Sequence, residues 1–255
     1  MKKKVNRRTF LKYFAGAGVT AALTGIPAFS RSQPKEILIG SVQPATVAMG
    51  TLCEARGVPF VIDVAAADAV TQRGFKYTFR CFTTQATLIK NIGDFLDTIV
   101  KEKKVAMKRI AVTNAGDFFG RTQGKAFVDY VKARKLSFDA EIVEHIEYPL
   151  GVQDLSAEVA KIKAAKPDML CPVARSGDAK LLVRELYKQR VELMGIVGHG
   201  SPGWYEPEFI KDMGNLADYV MDNAPWPNPK SPRFKEINER FAKLYPGKYL
   251  DGNSG

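Results

Sequence analysis

Histidine and cysteine are scarce in this sequence, which holds two histidines and three cysteines in 255 residues. The cysteines show no Cys-x-x-Cys spacing, and no histidine follows them at the spacing of a metal site. A Gly-x-Ser-x-Gly turn, a phosphate-binding P-loop and a His-Glu-x-x-His helix are also absent from the sequence. The sequence therefore contains no set of residues that is typical of hydrolytic or metal-dependent catalysis. We expect no catalytic residue, no metal and no cofactor.

The three cysteines are Cys53, Cys81 and Cys171. Cys81 and Cys171 stand in apolar runs, which predicts that both thiols are buried as small hydrophobic side chains. Because the number is odd, at least one thiol stays unpaired within a monomer.

The formal net charge of +11 is concentrated at the N-terminus. Residues 1–30 carry six basic and no acidic side chains, so a charge of +5 remains on the other residues. There the basic side chains alternate with acidic ones, as expected for solvated helix faces. No basic run is interleaved with aromatic residues, so we expect no nucleic-acid partner.

Residues 1–30 have the organisation of an export signal. Basic residues 2–8 precede an apolar segment, residues 14–26, that is too short to span a bilayer comfortably. Small side chains follow in "PAFS", as a signal peptidase requires. The stretch "NRRTFLK" (residues 6–12) resembles a twin-arginine signal. This predicts export to the periplasm by the twin-arginine pathway; an uncleaved N-terminal anchor is the alternative.

Short apolar runs alternate with amphipathic segments along the remaining chain, which predicts βαβ units and a parallel sheet. The predicted strands are residues 37–42, 59–64, 109–113, 140–148, 169–173, 194–197 and 219–223. The predicted helices are residues 46–56, 85–103, 120–134, 155–165, 178–190, 208–213 and 232–244. Ligands of open parallel sheets bind beyond the carboxyl ends of strands. Here those ends read "DVAAAD", "TNAGDFFG", "VARSGD" and "GHGSPGWY".

Four stretches together resemble the type I periplasmic solute-binding proteins of ABC transporters, the Leu/Ile/Val-binding family. They are "GVPFVIDVAAADAVTQRGFKYTFR", "RIAVTNAGDFFGRTQGKAF", "DLSAEVAKIKAAKPDML" and "GIVGHGSPGW". Their order and spacing carry the resemblance, which covers most of residues 36–255.

The resemblance implies an α/β fold with two lobes of parallel sheet, joined by hinge crossings near residues 82–84 and 223–226. Residues 83–222 would form the C-terminal lobe, after a signal peptide in residues 1–30. Residues 31–82 and 223–255 would form a truncated N-terminal lobe. At about 30 residues for each βαβ unit, on the order of 60–80 residues of the family's first lobe have no counterpart here.

The resemblance also implies ligand-binding residues at the strand ends. Ala65, Ala66, Ala67 and Asp68 would form a shelf whose backbone approaches the ligand, with either Ala67 or Asp68 at the family's hydroxyl position. Phe119 would be the aromatic wall on the other lobe, since such walls are apolar and rigid. Phe118 is a rival for the wall and a good candidate for the core.

Two further strand ends complete the implied site. Arg175 and Ser176 follow the strand at residues 169–173, where arginine either grips a ligand carboxylate or pairs with Asp178 on the surface. Amino-acid binders of the family carry a carboxylate in the loop where this sequence has His199, Gly200 and Ser201. That departure leaves open a ligand without an ammonium group.

The sequence therefore predicts a periplasmic substrate-binding protein of an ABC transporter and not an enzyme. Its solute would be a branched-chain amino acid or a related small carboxylate or amide, bound in the cleft between lobes. Its partner would be the permease in the inner membrane, and we expect a monomer. The alternatives are an exported α/β enzyme that carries a cofactor, and a ligand-sensing domain, which needs an output module.

Overall fold

The computed structural model describes residues 43–224, 228 and 230–247, all within one compact unit. The export signal predicted at residues 1–30 and the strand predicted at residues 37–42 lie outside the described residues. No helix in the described part of the chain is long and apolar enough to cross a membrane. The strands are β1 Phe60–Ile62, β2 Thr78–Arg80, β3 Arg109–Ala115, β4 Glu141–Tyr148, β5 Met169–Val173, β6 Gly195–Gly198 and β7 Val220–Asp222. The helices are α1 Gln43–Arg56, α2 Gln85–Lys103, α3 Phe118–Lys132, α4 Ser156–Ala165, α5 Ser176–Lys188, α6 Pro202–Tyr205, α7 Pro207–Met213 and α8 Pro232–Leu244.

Five of the strands form one parallel sheet in the order β4-β3-β5-β6-β7. Helices lie on both of its faces, so the central strands carry apolar side chains on both sides. On one face Ile92 and Phe127 of α2 and α3 are fully buried. On the other face Ile162 and Leu182 of α4 and α5 are buried. The predicted α/β architecture with parallel strands is confirmed.

The other two strands, β1 and β2, form a separate parallel pair. Helix α1 covers one face of the pair, where Phe60 and Ile62 are buried beside Cys53. The opposite face carries Val61 and Phe79, and both side chains are exposed. The two-stranded sheet is thus half covered.

The prediction that Cys81 is buried is wrong. Its side chain is exposed, whereas Cys53 and Cys171 are buried, and all three thiols are free. Cys81 lies two residues beyond Phe79, so it points to the same uncovered face of the small sheet. An apolar neighbourhood in sequence does not bury a side chain whose sheet face has no cover.

Local capping sets where the main helices begin. The Thr84 hydroxyl accepts a hydrogen bond from the Thr87 N–H at 3.1 Å and caps α2. The Asp117 carboxylate accepts from the Gly120 N–H at 2.6 Å and caps α3. These caps place the first turns of both helices beside strand ends, where the candidate site lies.

Candidate functional site

Three loops meet at the carboxyl edge of the five-stranded sheet. β3 pairs with β5 and β5 pairs with β6, all parallel, so the loops after these strands are neighbours. Ser201 ties two of these loops together, because its hydroxyl accepts a hydrogen bond from the Ala174 N–H at 3.2 Å. The Gly203 N–H donates to the Ala174 carbonyl at 3.3 Å. The loops after β5 and β6 are therefore joined by one side-chain and one backbone hydrogen bond.

Arg175 lies at the centre of this edge and is held by the loop after β3. Its Nε and Nη2 both donate to the Asp117 carboxylate, with the Nε contact at 3.1 Å. The guanidinium also lies over the Phe119 ring, 5.2 Å from its centroid. The structure thus brings together two of the predicted site residues, Phe119 and Arg175, and orients the arginine from two sides.

The surface pairing predicted between Arg175 and Asp178 does not form. Asp178 is buried at the start of α5, and burial raises the pKa of its carboxyl group. Phe118, expected as a core candidate, is exposed, while Phe119 is half-buried under Arg175. Phe119 is therefore better placed than Phe118 to form a wall beside the guanidinium.

Ser176 pairs with a carboxylate that the sequence analysis missed. Its hydroxyl makes a short hydrogen bond to Oε2 of Glu206. Glu206 lies between α6 and α7, and both helices begin with proline, Pro202 and Pro207. The carboxylate of amino-acid binders was expected directly after β6, but in this chain the single turn of α6 lies between β6 and Glu206. The sequence did carry a signal, because proline is favoured at the first position of a helix and Pro207 therefore indicates that a helix starts directly after Glu206.

His199 lies beneath the edge and not on it. Its side chain has no exposed surface, and its ring meets Phe127 edge to face at 4.7 Å between centroids. Neither ring nitrogen has a hydrogen-bond partner in the described part of the chain. Burial lowers the pKa of His199 to about 3, so the imidazole is neutral. A contact between His199 and the ligand remains a prediction, and the complete burial of the side chain favours a role in packing.

Asp222 is the last residue of β7. Its side chain and that of His199 lie on opposite faces of the large sheet. The Asp222 Oδ1 accepts a hydrogen bond from the Gly200 N–H at 3.0 Å, whereas Oδ2 has no partner among the described residues. Burial raises the pKa of Asp222 to about 7. The next residue, Asn223, donates from its side chain to the Leu88 carbonyl at 3.1 Å. These contacts fasten the predicted crossing at residue 223 to α2; Trp226 lies outside the described residues.

The four predicted shelf residues, Ala65 to Asp68, lie where the small sheet meets α2. The three alanines are buried, and the carbonyls of Ala66 and Ala67 accept hydrogen bonds from Arg80 at 2.8 and 3.1 Å. The Ala66 carbonyl also accepts from the Gln85 N–H at 2.8 Å. Two of the backbone groups assigned to the ligand therefore already have partners inside the protein.

Asp68 has a similar internal role. Its carboxylate accepts a hydrogen bond from the Ala86 N–H at 3.2 Å, in the first turn of α2. It also borders an open groove of about 640 Å³ between α2 and α3. No hydrogen bond or ion pair between described residues joins Ala65–Asp68 to Arg175. The shelf remains a prediction, and the residues at the carboxyl edge of the large sheet form the better-supported part of the site.

A second groove, of about 620 Å³, opens at the opposite edge of the large sheet. Lys166, Asp168 and Met194 line it where β5 and β6 begin. Open parallel sheets bind ligands at the carboxyl ends of their strands, so this groove lies at the wrong edge. The carboxyl edge, with Arg175, remains the candidate site.

Among the described residues, Arg175, Phe119, Ser176, Asp117 and Glu206 bring together a cation, an aromatic ring, a hydroxyl and two carboxylates at the carboxyl edge. No cluster of His, Cys, Asp or Glu among the described residues is arranged to hold a metal ion. No described histidine or thiol is both exposed and hydrogen-bonded to a base beside Arg175. Such a set can bind and orient a small charged molecule through polar contacts.

Comparison with known proteins gives three findings. A family model described as "Periplasmic binding protein" matches residues 17–254. Leu/Ile/Val-binding protein homolog 8 of Brucella abortus (strain 2308) is 24% identical over 182 residues, which are 69% of this chain and 43% of that protein. A leucine-binding protein from Thermotoga maritima superposes with a TM-score of 0.67 at 19% identity, over 84% of this chain and 58% of that one.

A second similar solved structure comes from Rhodopseudomonas palustris BisB5. It is a solute-binding protein of an ABC transporter in complex with 3,4-dihydroxybenzoic acid, with a TM-score of 0.65 at 23% identity. It matches 83% of this chain and 55% of its own. At such identities the solved structures show a shared fold. The chain spans about half the length of the relatives it matches.

Proposed function

Because this chain belongs to the periplasmic binding protein family, we propose that it binds a small carboxylate-bearing solute, with branched-chain amino acids as the first candidates. The family implies a periplasmic location. The observation that carries the proposal is the convergence of Arg175, Phe119, Ser176 and Glu206 at one sheet edge. No chemical step is assigned to these residues, because binding and release suffice for transport.

Arg175 is the proposed carboxylate contact. Asp117 engages Nε and Nη2, and in the described part of the chain Nη1 has no hydrogen-bond partner. That nitrogen can donate to a solute carboxylate while Asp117 keeps the side chain oriented. An arginine already fixed by a partner loses less rotamer entropy when a ligand binds.

Glu206 is the proposed contact for an ammonium group. Asp117 and Glu206 together outweigh the single charge of Arg175, which favours a solute that brings a positive charge of its own. The Ser176 hydroxyl holds the Glu206 carboxylate, as a residue that orients a ligand contact should. In the proposed site, Glu206 takes the place of the carboxylate that amino-acid binders of the family carry directly after β6. It lies further along the chain because α6 intervenes.

Phe119 and the shelf at Ala65–Asp68 are proposed to form opposite walls of an interlobe cleft. Phe119 is an apolar surface already ordered by its stacking with Arg175. Closure would be a hinge motion about residues 82–84 and 223, stabilised by the solute because it contacts both sides only when closed. The permease of an ABC transporter in the inner membrane would receive the closed form, and "NRRTFLK" would direct twin-arginine export.

The test is calorimetric titration of the chain with L-leucine and two analogues that each lack one charge. These are 4-methyl-2-oxopentanoate, without the ammonium group, and isopentylamine, without the carboxylate. We expect L-leucine to bind best and Arg175→Gln to weaken its binding by roughly 10- to 100-fold, as for loss of a charge-assisted hydrogen bond. Glu206→Gln should weaken L-leucine and leave the oxo acid unchanged.

Arg134→Gln is the matched control. Arg134 pairs with Asp139 at a site where both side chains are almost fully exposed, far from the sheet edge in sequence. It should leave every affinity unchanged. Tighter binding of the oxo acid than of L-leucine would show that the solute is a simple carboxylate and not an amino acid. No heat with any of these compounds would overturn the proposed solute binding for this chain.

A further inference from the structure

Asp178 is a buried carboxylate that lies against the main chain of the proposed carboxylate contact, Arg175. It is the third residue of α5, and its side chain is only 5% exposed. Its carboxylate accepts a hydrogen bond from the backbone N–H of Arg175, the residue that precedes the helix. The Ala179 N–H donates to the Arg175 carbonyl at 2.8 Å. The first turn of α5 therefore holds the backbone of Arg175, while the guanidinium group turns to Asp117.

Opposing effects act on the charge of Asp178. Burial raises the pKa of its carboxyl group, and the nearby Asp117 carboxylate adds to that effect. The hydrogen bond from the Arg175 N–H, the charge of the guanidinium group and the positive end of the α5 dipole all favour the ionised form. At about pH 8, roughly four units above the ordinary pKa of an aspartate, we expect the group to be ionised.

The other groups near Asp178 supply no further positive charge to balance it. Tyr148, at the end of β4, stays neutral because burial raises the pKa of its hydroxyl group. Lys180 lies two residues further along α5, and its ammonium group pairs with a carboxylate of α7. The single charge of Arg175 is shared with Asp117, which the guanidinium group contacts directly. Asp178 therefore adds a negative charge behind the site that is balanced only in part.

We propose that Asp178 determines which charge the site prefers in its solute. The carboxylate does not touch the solute but acts on it through the protein, where charges are screened less than in water. It repels a solute carboxylate held at Arg175 and attracts a solute ammonium group held at Glu206. Asp178 thus favours amino acids over acids that lack an ammonium group. This inference rests on the proposed solute site and specifies the charge of its solute.

The test is calorimetric titration of the parent chain and of Asp178→Asn at about pH 8, where the parent carboxylate is ionised. The amide oxygen of asparagine can still accept the Arg175 N–H, so the start of α5 is retained while the charge is removed. 4-Methyl-2-oxopentanoate should bind more tightly by roughly fivefold or more, and isopentylamine more weakly by a similar factor. L-Leucine carries both charges and should change least. A merely structural role would weaken both single-charge ligands together.

Asp139→Asn is the matched control. It removes the same charge from an exposed side chain just before β4, at the opposite edge of the sheet, and should leave all three affinities unchanged. Asp178→Ser is a second neutral variant whose hydroxyl can accept the same N–H, and it should shift the affinities in the same directions as Asp178→Asn. Circular dichroism shows whether each variant is folded.

The outcomes separate this inference from the solute site on which it rests. If the parent chain binds L-leucine or the oxo acid, but the folded neutral variants leave the ratio of these two affinities unchanged, Asp178 does not set the charge preference. Equal weakening of the oxo acid and isopentylamine would also overturn the assignment, and the solute site would stand in both cases. A parent chain that binds none of the three compounds would overturn the solute site and this inference together.

Discussion

The five-stranded sheet and the two-stranded sheet of this chain differ in how completely they are covered. Helices bury both faces of the large sheet, and its central strands β3 and β5 have almost no exposed side chain. Among the described residues, α1 and the turn that follows β1 cover one face of the small sheet, and every second side chain on its strands is exposed. Both regions consist of parallel strands, and they differ in strand length and in the layers around them.

This difference shows that a local sequence pattern is enough to form paired parallel strands, whereas burying both faces of a sheet requires a layer of helices on each side. Both sheets consist of parallel strands joined by crossovers. The large sheet lies between two extensive buried apolar clusters, whereas the small sheet has one small cluster, so less apolar burial opposes the entropy gained when the small sheet opens. We therefore expect the two regions to open independently, with the small sheet opening far more often.

The largest expected effect is in hydrogen exchange. Backbone amides of residues 109–115 and 169–173 should exchange more slowly than those of residues 60–62 and 78–80, by a factor on the order of 100 or more. The reason is that local opening exposes less buried surface than global unfolding does. Mass spectrometry of peptides from the intact chain measures both regions at once. Equal protection in the two regions would show that the small sheet shares the large sheet's stability.

Two buried aliphatic side chains test the same contrast by mutation. Leu170 in β5 and Ile62 in β1 are both almost completely buried. Leu170→Ala should lower the free energy of unfolding by about 2–5 kcal/mol, through lost transfer energy and the cavity left behind. Ile62→Ala should change the global value by less than about 1 kcal/mol, since its region has already opened. Urea denaturation followed by circular dichroism measures both.

An exposed position supplies the control for this pair. Leu150→Ala removes an exposed side chain and should stay within about 0.5 kcal/mol of the parent. A loss at Ile62 as large as that at Leu170 would mean that the two sheets unfold as one unit.

The sequence predicted local features well and long-range contacts poorly. The limits of α2, β5 and α8 match the predicted residues 85–103, 169–173 and 232–244, because periodicity and end signals lie within each segment. β2 was missed, since three residues with alternating exposure leave no apolar run. The exposure of Cys81 could not be predicted, because it depends on whether another element covers the sheet.

The candidate site shows the same limit. Sequence spacing suggested Asp178 as the partner of Arg175, but the partner is Asp117, 58 residues away. The position of a loop residue can be predicted when it directly follows a strand, as for Phe119 and Arg175. Glu206 escaped because one helical turn separates it from β6. Which groups face each other across loops depends on the register of β3, β5 and β6.

Two buried groups of the large sheet should give it opposing pH responses, which the small sheet lacks among its described residues. Burial raises the pKa of Asp222 to about 7, so the folded state binds a proton that the unfolded state has lost above about pH 4. That contribution to stability falls as pH rises from about 4 to 7. Burial lowers the pKa of His199 to about 3, so its contribution rises with pH up to about 6.5.

Between about pH 4 and 6.5 the two opposite changes of unfolding free energy with pH should cancel. Removing one of the two groups should therefore make the pH dependence due to the other measurable. Asp222→Asn should make stability rise with pH, and His199→Phe should make it fall, each by about 1.4 kcal/mol per pH unit. The slopes are measured by urea denaturation at about pH 4.5, 5.5 and 6.5, which lie within that window. Flat profiles in both variants would mean that neither group titrates differently on folding.

Two glycines beside Arg175 connect the comparison to the candidate site. A Cβ at Gly203 would lie 2.7 Å from the Ala179 Cβ and 2.8 Å from the carbonyl oxygens of Ala174 and Arg175. Gly203→Ala should therefore push α6 from the β5–α5 turn and cost about 1–3 kcal/mol, as overpacking does. A Cβ at Gly177 would meet nothing within 4 Å, so Gly177→Ala should be neutral or slightly stabilising in the helix. Because α6 also positions Glu206, Gly203→Ala should weaken solute binding beyond its effect on stability, whereas Gly177→Ala should not. Equal stability and equal affinity in both variants would show that the backbone contacts at Gly203 do not hold the loops of the site together.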